Sequence, residues 1–104
     1  MSELQNRIVD WAKRKGWMDK EVSIPEQIAL VHSELSEALE SWRNNEPLFW
    51  LDDNKPCGLE SEYADAAIRL FHYAALNGFD LLDAVDTKMQ YNETRPYRHG
   101  GKRA

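Results

Sequence analysis

The chain has 104 residues, 42% of them hydrophobic and 30% charged, with a formal net charge of −5. That length holds one domain with a modest core, and the balance is that of a folded chain, not a disordered one. The acidic charge argues against a broad nucleic-acid surface, no stretch is long and apolar enough to span a membrane, and the single cysteine, Cys57, excludes an intrachain disulfide.

The opening MSELQNRIVDWAKRKG mixes acids and bases and has no apolar signal core, so a cytoplasmic location is expected. One unpaired cysteine fits that reducing compartment. Leu4, Ile8, Trp11, Ala12 and Lys15 follow helical spacing over residues 3 to 15, and Gly16 stops the run. Trp11 and Trp17 read as core or interface aromatics ahead of ligand contacts.

Ser23 and Glu26 have capping-box spacing, and Pro25 is tolerable in a first turn. A second helix therefore runs from about residue 24 to Asn44 and ends at Asn44-Asn45-Glu46-Pro47. Ile28, Val31, Leu35, Ala38, Leu39 and Trp42 form its apolar arc. Glu34 and Glu37 lie one turn apart at the border of that arc. Carboxylates there can turn inward between packed helices.

Residues 45 to 58, NEPLFWLDDNKPCG, read as irregular, because two prolines, a glycine and an Asp-Asp-Asn run forbid a long helix. No alternation is strong enough for a sheet. Leu48, Phe49, Trp50 and Leu51 are too apolar for a solvated linker, so they are expected to cover the core or pack on another subunit, with a share in a base pocket as the lesser reading. A third helix spans 59 to 76, with Tyr63, Ala66, Ala67, Leu70 and Ala74 as its stripe, and Asn77-Gly78 ends it. On it Glu62 and Asp65 repeat the three-residue step. His72 reads as a polar-face residue, and neither it nor His32 is expected to be a ligand.

Asp80 to Asp83 has cap spacing and opens a fourth helix within two or three residues. That helix holds Leu81, Ala84, Val85, Lys88, Met89 and Asn92 and ends before Arg95-Pro96. The short connection favours an antiparallel neighbour. From about residue 94 the tail is basic and irregular, with Arg98, His99 and Lys102 as a candidate flap. The fold class expected is all-α, one domain over 1–104, an antiparallel bundle of about four helices completed by oligomerisation.

Two acid pairs on two helices form an oxygen-rich shell of the kind magnesium prefers. Four crowded carboxylates are unfavourable without a cation. Either spacing alone is common on solvent-facing helices, so the combination carries the weight.

That combination is Glu34 and Glu37 in HSELSEALESWR, Glu62 and Asp65 in ESEYADAAIRLFHYA, then Lys88, Asn92 and Arg95 in KMQYNETRPYRHGGK. In this order, over roughly residues 24 to 102, it resembles the all-α nucleoside triphosphate pyrophosphohydrolases, the MazG-like family. The resemblance implies magnesium, with manganese (Mn2+) as a substitute, held by Glu34, Glu37, Glu62 and Asp65. It implies hydrolysis of (deoxy)nucleoside triphosphates between the α and β phosphates, giving a nucleoside monophosphate and pyrophosphate. The residues expected to act are Glu37 as water-orienting base, Glu34 beside it and Lys88 on the phosphates. Asn92 and Arg95 complete the substrate contacts. Ser33 and Ser61 depart from the pattern, since members often carry further acids there.

The expected partners are a nucleoside triphosphate and further copies of the chain, as a dimer or tetramer, with no membrane and no stable nucleic acid. Trp42, Phe49 and Trp50 support the oligomer, since exposing them on a monomer is costly. Two alternatives stand beside the leading one. One is a pyrimidine-specific dUTP or dCTP pyrophosphatase; the other is a non-catalytic helical interaction protein.

Overall fold

The computed structural model describes residues 1–97. Four helices follow in order: α1 (Glu3–Arg14), α2 (Ile24–Arg43), α3 (Leu59–Leu76) and α4 (Leu81–Glu93). Between α2 and α3 lies a small antiparallel hairpin of β1 (Trp50–Asp52) and β2 (Lys55–Cys57). Among the described residues the regular structure is therefore all-α apart from six hairpin residues. The helix bounds agree with the sequence reading to about a residue because the caps are local chemistry. Ser2, Ser23 and Asp80 accept from the backbone N–H groups of Gln5, Glu26 and Asp83, each satisfying a donor that has no helical partner.

The hairpin corrects the expectation of an irregular 45–58 segment. Trp50 pairs with Cys57, Leu51 with Pro56 and Asp52 with Lys55. The two turn residues, Asp53 and Asn54, have φ of 48° and 72°. A tight two-residue turn matching strand twist needs positive φ at both positions, and Asp and Asn tolerate it. Pro56 is admissible because both strands of a two-stranded sheet are edges. Three-residue strands are too short for an alternation to be read, so the signal was the turn.

Gly58 ties this hairpin to α3. Its φ is 97°, and a Cβ there would stand 2.5 Å from the Leu48 carbonyl oxygen and 2.6 Å from that of Pro47. The Glu60 N–H donates to the same Leu48 oxygen at 3.0 Å. The start of the acid-bearing helix is thus clamped by backbone.

Helices α2 and α3 form the main packed pair and run antiparallel. Asn77 Nδ2 donates to Gln27 Oε1 at 2.9 Å, and further along Arg69 Nε donates to Glu34 Oε1 at 2.8 Å. Helix α1 packs against α3, and the core draws on Ile8, Val9, Ala12, Ala38, Ala66, Phe71, Tyr73 and Ala74. Gln5 is fully buried. Its Nε2 donates to Phe79 O at 3.0 Å and its Oε1 accepts from Leu81 N at 2.9 Å, which fixes α1 to the α3–α4 turn.

Helix α4 behaves differently: none of its residues is buried, and Leu82, Val85 and Met89 are about half exposed. On α2, Ile28, Leu35, Leu39 and Trp42 are also exposed, and only Ala38 of the expected arc is buried. The hairpin leaves Trp42 67% exposed, so it does not cover that end of the core. The radius of gyration is 16.4 Å, against about 13 Å for a compact chain of about 100 residues. Three helices make the core, and a wide apolar surface lies open beside them.

Candidate functional site

Antiparallel packing brings the ExxE face of α2 opposite the ExxD face of α3. One carboxylate oxygen from each of Glu34, Glu62 and Asp65 lies within 4.8 Å of the others. Glu37 adjoins the group through Glu62, close enough for its charge to raise the Glu62 pKa. The four acids singled out in the sequence are therefore neighbours in space. Ser33 and Ser61 are turned away, each donating to its own local backbone, at Leu30 O and Pro56 O.

The crowding shifts the acids' protonation. Glu62 is held above its ordinary pKa, first by burial, then by the Glu37 carboxylate and the hydrogen bond to it, and further by Asp65 and Glu34. Asp65 is raised by burial and then by Glu34, with Arg69 and Lys55 opposing. Glu62 Oε2 is buried with no hydrogen-bond partner. An acceptor left so costs about 1–3 kcal/mol. An all-carboxylate donor set with an orphaned buried oxygen fits a hard divalent cation such as magnesium or manganese.

A cleft of about 320 Å³ opens beside these acids, lined by Trp11, Trp17, Glu34, Asp65, Ile68, Arg69 and His72. The Trp11 and Trp17 rings are 5.5 Å apart and tilted by 37°. The Arg69 guanidinium lies 5.8 Å from the Trp17 ring centre, and its Nη1 donates to Tyr73 Oη at 2.9 Å. His72 is buried, not on a polar face as expected, and its Nε2 lies 2.9 Å from Met18 Sδ. Burial, and then the charge of Arg69, pull its pKa down, so the ring is neutral near pH 7.

Arg69 and His72 are the site residues that sequence reasoning missed. The signal was present, since they follow Asp65 by four and seven residues on one helix face. Trp11 and Trp17, read as core or interface aromatics, line the cleft.

The residues expected on the phosphates stand apart. Lys88 Nζ lies 5.3 Å from the Tyr91 ring centre, and the Asn92 carbonyl accepts from Arg95 N at 3.1 Å. None of Lys88, Asn92 and Arg95 lines the cleft. Among the described residues no hydrogen bond or ion pair joins them to the acids. Arg98, His99 and Lys102 lie outside the described residues. No family model, no curated protein and no solved structure matches this chain.

Proposed function

We propose that the chain is a magnesium-dependent nucleoside triphosphate pyrophosphohydrolase of the MazG-like type, cleaving the α–β bond to release pyrophosphate. The observation that carries this reading is the convergence of Glu34, Glu62 and Asp65, with Glu37 beside them and one Glu62 oxygen buried without a partner. Glu34, Glu62 and Asp65 would hold the cation. Bound there, magnesium supplies positive charge against the phosphate oxygens and makes water more acidic. Glu37 is exposed on the rim of the cluster. There it orients the attacking water and accepts its proton. The cleft on the tryptophan side takes the nucleoside end.

Lys88 and Arg95 are the phosphate-binding cations of this reading, with Asn92 between them. Within the described residues no α4 side chain bonds to the acids or lines their cleft, so the reading includes a second copy. Its occupancy fits the open apolar surface. Among the described residues a groove of about 280 Å³ between Leu35, Ala38, Leu39, Trp42, Leu59 and Tyr63 stands uncovered, and Leu82, Val85 and Met89 of α4 are about half exposed. Self-pairing about a two-fold axis covers both faces at once.

The same open surface is what favours the second reading, a non-catalytic helical interaction protein. A pyrophosphate-release assay over the common deoxynucleoside and nucleoside triphosphates, with magnesium, manganese or a chelator, separates them. Metal-dependent release of pyrophosphate is expected. No turnover of any nucleotide would sink the hydrolase reading. Turnover confined to dUTP or dCTP would narrow it to the pyrimidine-specific form.

A further inference from the structure

The reading above gives the cation to the carboxylates and the phosphates to Lys88 and Arg95, and assigns nothing to Arg69, which is the only cation lining the acid-side cleft among the described residues. We propose that Arg69 reads the nucleobase in the cleft of Trp11 and Trp17, selecting bases with two adjacent acceptors, guanine (O6 and N7) and cytosine (O2 and N3). The inference rests on the nucleotide reading above and names which nucleotides that site takes.

The guanidinium is held from behind. Its Nε is committed to Glu34 and one Nη1 hydrogen to Tyr73 Oη. Those two bonds use two of its five N–H groups. The rest, both on Nη2 and one on Nη1, make no hydrogen bond among the described residues, and the side chain lines the cleft. Both bonded partners are themselves anchored, since Tyr73 is buried in the core and the Glu34 side chain is only 12% exposed. A pre-positioned fork loses little freedom when it binds.

Such a fork can only donate. Guanine and cytosine each present two neighbouring acceptors to it. Adenine and thymine place a donor beside each acceptor on the comparable edges, and that donor faces a group with no lone pair. The rest of the wall does not discriminate in this way. Trp11 and Trp17 contribute indole rings, Trp17 with the guanidinium itself 5.8 Å from its centre, and contact with them is tolerant of sequence. Ile68 is apolar, and His72 is neutral and buried. Glu34 and Asp65 line the same cleft and Glu34 is bonded to Arg69, so a base on the guanidinium lies next to the acids proposed for the cation and phosphate end. The volume, about 320 Å³, is at the small end of ligand pockets.

The test compares kcat/KM for dGTP, dCTP, dATP and dTTP between the full-length protein and its Arg69→Met and Arg69→Lys variants, all with magnesium. The unsubstituted protein is expected to favour dGTP and dCTP about tenfold, the lower range for a two-pronged charged contact to a base. In Arg69→Met the four should come within about twofold of one another, and Lys should not restore the ratio because it lacks the fork. If Arg69→Met lowered all four alike, Arg69 would only be positioning Glu34 or holding phosphate. That result overturns the base reading and leaves the hydrolase reading standing.

Tryptophan fluorescence titrations with the four deoxynucleoside monophosphates, in chelator, separate the two failures. Trp17→Phe assigns the signal to the cleft. A preference for dGMP and dCMP that Arg69→Met removes, in a protein that hydrolyses no triphosphate, keeps the base reading and overturns the hydrolase. Equal affinity for all four monophosphates, or no binding of any, overturns the base reading itself.

Discussion

Arg69 Nε donates to Glu34 Oε1 at 2.8 Å, joining the cation of the aromatic cleft to an acid of the carboxylate cluster. The pair is largely shielded, with side-chain exposures of 21% and 12%. It leaves the cluster undercompensated, because four carboxylates, Glu34, Glu37, Glu62 and Asp65, have only the Arg69 ion pair and the more distant charge of Lys55 against them among the described residues. The remaining negative charge is what a divalent ion would offset, and the first two predictions follow from that imbalance.

Glu34→Gln, Glu37→Gln, Glu62→Gln and Asp65→Asn should each lower magnesium-dependent pyrophosphate release by about 100-fold or more, the scale on which metal-site residues act. The helices should persist in the Glu37, Glu62 and Asp65 variants, because removing like charges from a crowded cluster does not unfold it, whereas Glu34→Gln also leaves Arg69 without its counter-ion and should cost some stability. Far-ultraviolet circular dichroism alongside the rate assay checks both halves. Near-normal turnover in all four variants would remove the site.

Stability should depend on pH with a definite sign. Glu62 and Asp65 are held above their ordinary values, so the folded chain keeps these protons longer than the unfolded one. Their contribution is therefore most favourable below the ordinary carboxylate range of about pH 4 and is lost as pH rises through the raised values. In chelator the melting temperature should fall over that rise, and a Glu62→Gln/Asp65→Asn double variant should fall less. Magnesium binds the deprotonated acids, so it should raise the melting temperature more at about pH 7 than at about pH 4. An equal effect of magnesium at both would count against a cation among these carboxylates.

Lys88→Ala and Arg95→Ala should raise KM for triphosphate more than they lower kcat. If a second copy supplies Lys88 to the acids, as proposed, mixing Glu62→Gln protein with Lys88→Ala protein should give more activity than either alone through mixed oligomers. Light scattering over a dilution series supplies the companion measurement. A persistent mass near 12.1 kDa with full activity would place every contributing residue in one chain.

Two substitutions outside the site test the frame that holds it. Gln5→Leu leaves the Phe79 carbonyl and the Leu81 N–H without their partner, and should cost about 2 kcal/mol or more by urea unfolding. Gly58→Ala drives a Cβ into the Leu48 and Pro47 carbonyl oxygens. Backbone atoms cannot step aside as a flexible side chain can, so a loss of about 2 kcal/mol or more is expected. Activity should suffer too, since Gly58 sets the start of the helix carrying Glu62. A Gly58→Ala protein as stable as its parent would show that the 47–48 backbone yields.

The candidate site was legible in part. The acid pairs could be found because three-residue spacing places side chains on one helix face whatever lies outside the helix. Arg69 and His72 share that face with Asp65, yet nothing local distinguishes a buried cleft residue from a solvated one. Trp11 and Trp17 illustrate the same limit, since an indole suits a core, an interface or a ligand wall equally.

What the sequence alone determined is everything governed by neighbours a few residues away: the four helices, their caps at Ser23 and Asp80, and the stop at Asn77-Gly78. Tertiary structure alone decided which surfaces meet. Glu34 finds Arg69 across 35 positions, Met18 finds His72 across 54, and Gln5 finds Leu81 across 76. It also decided that α4 and much of the α2 arc stay open. The physical reason is range. A helix cap or an i, i+3 pair is set by bond geometry within one turn, whereas burial depends on which competing apolar faces the chain can bring together, and here the chain alone supplies too few to cover them.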